Sequence, residues 1–200
     1  MFSKDEHPYN KQLADILLQI AYRHTHAKTA LCEEEPMSDA PPLLFTVKVR
    51  PNGTSKLNFH TLMKYEDGFF FQDDVIKAIY KTSEDIKPTK FDYAISVLEG
   101  YSTSIHELDK MSTEDMEVDF ESNPFSPVKQ QITITAVDWA IKNVMICCLM
   151  YNYNDKGLPE IVDADWFEFP MDTKDTGFNE IMDVLGQFCA RVKERNFAKN

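Results

Sequence analysis

Glycine is scarce in this chain, six in 200 residues, and tryptophan occurs only twice. No GxxxxGK[ST] phosphate loop and no GxGxxG turn is present. The GxSxG elbow of serine hydrolases and the HExxH pair of zinc proteases are missing as well. The four cysteines, Cys32, Cys147, Cys148 and Cys189, form no CxxC and no disulfide-framework spacing. Reduced, buried thiols are expected. Cys147 and Cys148 are adjacent, so a strand sends one to each face. Their Val, Met, Ile and Leu neighbours lack the electropositive setting of a nucleophilic thiol. No apolar run approaches the roughly 20 residues needed to span a bilayer. The start, MFSKDEHPYNKQ, is charged where a signal peptide would be apolar. A cytoplasmic protein without membrane contact is therefore expected.

What is present argues for a packed interior: 43% of residues are hydrophobic and 12% aromatic. This length suits a single domain with a full core, covering 1–200. The net charge of −12 is unevenly placed. Residues 101–183 hold 17 acids against 5 bases, which equals that whole excess. A surface of this sign repels phosphate backbones, so no direct nucleic-acid binding is expected. It attracts a protein partner with a basic surface.

Periodicity orders the elements. Leu13, Ile16, Leu17, Ile20, His24, Ala27 and Leu31 recur at helical spacing over 8–31. CEEEPMSDAPP (32–42), with three prolines and four acids, reads as a solvated linker. Two alternating strands then flank Asn52-Gly53, a hairpin signal of the type I′ kind. Leu43, Phe45, Val47 and Val49 would share one face, while Thr46, Lys48 and Arg50 face water. A short helix carries Val75, Ile76, Ile79 and Tyr80, with Asp73 or Asp74 as its cap. The strand 91–102 is apolar on both faces and so belongs at the centre of a sheet.

The stretch 137–149 fits either a helical stripe or a strand. β-Rich ITIT, the aromatic and β-branched VMICCLMYNY and the turn residues NDKG favour a meander with strands near 130–137, 144–153 and 160–169. A closing helix over 177–196 buries Phe178, Ile181, Met182, Leu185, Cys189 and Val192. The fold class is α+β. A largely antiparallel sheet is formed by an N-terminal hairpin, a central strand and a C-terminal three-stranded meander, with amphipathic helices at both ends. From Phe91 to Phe169 the layout resembles small uncharacterised proteins of phage and mobile-element type. In these a strand ending in Glu and an aromatic, here SVLEGYS, leads through a variable loop to a meander. The resemblance brings no catalytic residues with it.

STEDMEVDFESNPFSPVKQQ (112–131) alternates Asp115, Glu117, Asp119 and Glu121 with Met116, Val118 and Phe120. Like charges in a row oppose isolated ordering, and two prolines then break any strand. A mobile acidic loop near 103–128 is expected. Acidic-hydrophobic alternation is also how a segment engages a basic groove with apolar pockets. The candidate partner-binding residues are Glu114, Asp115, Met116, Glu117, Asp119, Phe120 and Glu121. Trp139, at the tip of a hairpin loop, is a second contact.

Asp163 and Asp165 would project from one strand face and could bracket a magnesium given a third ligand. An acidic edge that discourages aggregation is the commoner use of such a pair. His24 and His26 point about 200° apart on a helix and cannot jointly hold a metal. His24 is read as a satisfied core histidine and His60 as a surface one. The expected function is a non-enzymatic acidic protein-binding factor, in the manner of a phage-encoded accessory or inhibitor protein, with no cofactor or resident metal. A small metal-assisted hydrolase using Asp163 and Asp165 is the alternative. An oligomeric structural protein, with contacts through FFF at 69–71, is the third reading.

Overall fold

The computed structural model describes residues 11–31, 42–62, 72–86, 90–102, 129–153, 159–174 and 178–197. Most of the 32–42 linker, FFF at 69–71 and the acidic segment lie outside them. The elements are α1 (Lys11–Leu31), β1 (Leu43–Val49), β2 (Ser55–Thr61), α2 (Gln72–Asp85), β3 (Tyr93–Ser102), β4 (Lys129–Asp138), β5 (Asn143–Tyr153), β6 (Pro159–Pro170) and α3 (Asn179–Phe197). The class is mixed α+β. Among the described residues no helix is long and apolar enough to cross a membrane.

All neighbouring strands are antiparallel, in the order β2-β1-β3-β4-β5-β6. The meander is therefore a strand structure throughout, and the helical alternative for 137–149 falls away. β4 and β5 are buried on both faces, which a helix with one apolar stripe would not exploit.

Alternation divides the core into two layers. One face carries Val47, Tyr93, Ile95, Val97, Ile132, Ile134, Ala136, Met145, Cys147 and Leu149, covered by Leu13, Leu17, Ile20 and Ala21 of α1. The other carries Leu44, Ala94, Val137, Val144, Ile146 and Cys148, covered by α2 and α3 through Ile79, Leu185, Phe188 and Cys189. Each fully buried Leu or Ile contributes about 1.5–3 kcal/mol. This arrangement corrects the expectation that one side of the hairpin faces water. Leu44 and Thr46 are both buried on the α2/α3 side. His60 is likewise half-buried rather than a surface group, and its Nε2 lies 2.9 Å from Thr46 Oγ1. Burial holds its pKa below the ordinary imidazole value.

The hairpin turn also differs from the two-residue form. Gly53 donates its N–H to Arg50 O at 2.9 Å, and Arg50 donates to Thr54 O at 2.8 Å. Only Gly53 has positive φ, at 80°. This is a three-residue loop in which Pro51 opens a type I turn and Gly53 supplies the left-handed residue. The Asn52 side chain accepts from the Thr54 N–H and hydroxyl, fixing the exit. Asp92 ties β1 to β3: its carboxylate accepts from Val49 N at 2.7 Å and Lys48 Nζ at 2.8 Å.

Candidate functional site

β6 is an edge strand. It starts and ends on proline, and β5 is its one hydrogen-bonded neighbour in the sheet order. Met150 pairs with Asp163, but Tyr151 pairs with Ile161, so Val162 is an extra residue in a bulge. The bulge changes the facing that strict alternation implies. Ile161 joins Ala164 and Trp166 on the α1 side, while Phe169 packs on the α2/α3 side. Asp163, Asp165 and Phe167 share the parity of Phe169 and are exposed. Val162 is 54% exposed and Phe167 is 37% exposed. The Phe167 ring stacks on Phe169 at 6.2 Å and meets Phe178 at 5.8 Å, which anchors the far end of the strand.

Charge is segregated across the sheet. Among the described residues from 159 to 183 there are seven acids (Glu160, Asp163, Asp165, Glu168, Asp172, Glu180, Asp183) and one base, Lys174. At the opposite edge, the β1–β2 hairpin holds three bases, Lys48, Arg50 and Lys56, and no acid. The acidic side thus pairs exposed apolar groups with carboxylates along the edge strand of the described sheet. Such a surface can receive an extended basic segment by strand addition.

The other candidates fall as follows. Glu114, Asp115, Met116, Glu117, Asp119, Phe120 and Glu121 lie outside the described residues. Trp139 sits in the β4–β5 turn, partly buried against the α3 layer, with Lys142 Nζ 2.7 Å from its ring centroid. The exposed apolar residue of that turn is Ile141, at 65%. Lys142 adopts a left-handed backbone, φ 55°. Asp163 Oδ1 accepts from the Ala164 N–H at 2.8 Å. No group of three His, Cys, Asp or Glu side chains placed to hold a metal occurs among the described residues.

Sequence reasoning passed over Glu99. Its parity places it with Tyr93, Ile95 and Val97 on the α1 face, and its side chain is 1% exposed. The Tyr151 hydroxyl donates to Glu99 Oε1. His24 Nε2 lies 3.7 Å from Glu99 Oε2, an ion-pair distance, but it makes no hydrogen bond among the described residues. His24 is thus a buried histidine, as expected, but its Nε2 has no hydrogen-bond partner among the described residues. A carboxylate on an apolar strand face was the visible signal. The tyrosine two strands away was not visible.

The thiols are insulated. Burial raises Cys147, with Cys148 and Asp165 adding to the shift. Burial also raises Cys148, and it pushes Cys189 up to about 12. None has the depressed pKa of a nucleophile. No family model matches the chain, and no curated protein or solved structure was found to match it.

Proposed function

We propose that the chain is a non-enzymatic acidic binding protein, of the phage-encoded accessory or inhibitor kind, that engages a basic segment of another protein. The observation that supports this reading is the segregation of charge, with seven acids and one base among the described residues of β6 and the start of α3. Exposed Val162 and Phe167 offer apolar contact beside the carboxylates. Like charges along β6 oppose pairing with a second acidic edge and favour a strand bearing Lys or Arg. The segment 112–121, with Met116 and Phe120 as apolar anchors, extends the same chemistry on sequence grounds.

The test uses two neutralised forms beside the parent, in affinity capture from host extract. One form carries Asp163→Asn, Asp165→Asn and Asp172→Asn. The other carries Glu114→Gln, Asp115→Asn, Glu117→Gln, Asp119→Asn and Glu121→Gln. A basic protein retained by the parent and weakened by either form, more so at low salt, is the expected result. Equal retention by all three chains overturns the reading.

A further inference from the structure

Between α1 and the β1–β2 hairpin lies an open groove of about 380 Å³. Ile16, Ile20 and Leu57 supply its apolar lining, and Gln12, Asp15, Gln19 and Arg23 line it along α1. These last four residues are exposed. Neither Asp15 nor Arg23 has an ionic partner among the described residues. Their order has a symmetry: Asp15 and Arg23 each stand four residues from Gln19, on opposite sides. Four residues are about 6 Å of helix rise, a little over one turn, so all three follow one shallow row.

A second α1 laid antiparallel across Gln19 would meet Asp15 with its Arg23, and Arg23 with its Asp15. This pairing is self-complementary in the way that a two-fold interface requires. The described residues on both sides of the groove carry little acid: Asp15 is the one acid among residues 11–31 and 42–62. Repulsion between two chains of net charge −12 is smallest there.

We infer that the occupant of this groove is a second copy of the chain, in a symmetric dimer with antiparallel α1 helices centred on Gln19. The paired charges set orientation and register, and covering Leu57, 38% exposed, adds apolar contact. The surface is formed by other residues than the acidic β6 edge.

Sedimentation velocity of the full chain over a wide concentration range tests this. The parent should show a reversible monomer–dimer equilibrium. Asp15→Arg alone and Arg23→Asp alone should each raise the dissociation constant by roughly tenfold, as two exposed attractions become two repulsions. The double variant Asp15→Arg/Arg23→Asp should return to the parent value. Mixing the two single variants should give a heterodimer tighter than either homodimer. Both substitutions lie on an exposed helix face, and circular dichroism checks that the chains remain folded. A monomer at every concentration overturns the proposal. So does a dimer indifferent to the single reversals, or one that the double reversal fails to restore.

Discussion

The hydroxyl of Tyr151 on β5 donates to the carboxylate of Glu99 on β3, reaching across β4 between them. Both side chains lie under α1 in the apolar layer. A carboxylate this deeply buried depends on its donor, because an unmade bond leaves the full desolvation cost in place. Tyr151→Phe should therefore lower unfolding stability by about 1–3 kcal/mol. Urea denaturation would show it as a lower midpoint with unchanged slope. An unchanged midpoint would mean that the bond contributes nothing net.

Two hydroxyls present the opposite case. Ser96 and Thr135 are paired across β3 and β4, both are 0% exposed, and neither Oγ has a partner among the described residues. Replacing an unsatisfied buried polar group by an apolar one of the same shape removes a cost without opening a cavity. Thr135→Val should raise stability by about 1 kcal/mol, read as a higher melting temperature. A loss of similar size would show that the hydroxyl is satisfied in solution.

The glycines separate two physical effects. At Gly53, φ is +80° and an added Cβ would meet nothing within 4 Å, so Gly53→Ala tests backbone conformation alone. It should cost about 1–2 kcal/mol, and Gly53→Asn much less. At Gly186, inside α3, a Cβ would come 2.7 Å from the terminal methyl of Met171, the flexible end of a side chain. Helix propensity favours Ala over Gly by about 0.8–1.0 kcal/mol. Gly186→Ala should then stabilise the protein, provided that Met171 can turn aside. Thermal melts of the three variants check both statements.

Cys189 makes the protein sensitive to alkali. Its pKa rises from 9.0 to about 12 on burial. Between those values the unfolded chain has lost this proton and the folded chain retains it, so stability falls as pH rises. The contribution is fully present below pH 9 and lost as pH rises towards about 12. Cys189→Ala should flatten that part of the stability profile relative to the parent, whatever its effect at neutral pH. In a Cys32→Ser background, the native protein should leave Cys147, Cys148 and Cys189 unmodified by a thiol reagent until denaturant is added. Rapid labelling of the native chain would contradict their insulation.

The local signals were legible because each depends on neighbours in sequence. Alternation or spacing marked α1, both hairpin strands, the three meander strands and α3 to within a few residues. Apolarity on both sides of 91–102 put β3 inside the sheet. Turn chemistry was read less well. Asn52-Gly53 marked the reversal, but Pro51 decided its type, because its fixed φ suits the first position of a type I turn.

The sequence alone determined where chain segments become helix or strand and how charge divides along the chain, since backbone preference and side-chain period act over a few residues. Tertiary structure decided the rest. The strand order set the basic hairpin and the acidic β6 at opposite edges of the sheet, and the α2/α3 layer buried Thr46 and half-buried His60, which alternation assigned to solvent. The bulge at Val162 turned Ile161 to the face opposite Asp163, and the spacing of β3 and β5 brought Tyr151 to Glu99. Each depends on which strands become neighbours, a long-range pairing fixed by burial of both sheet faces together and by no single stretch of sequence.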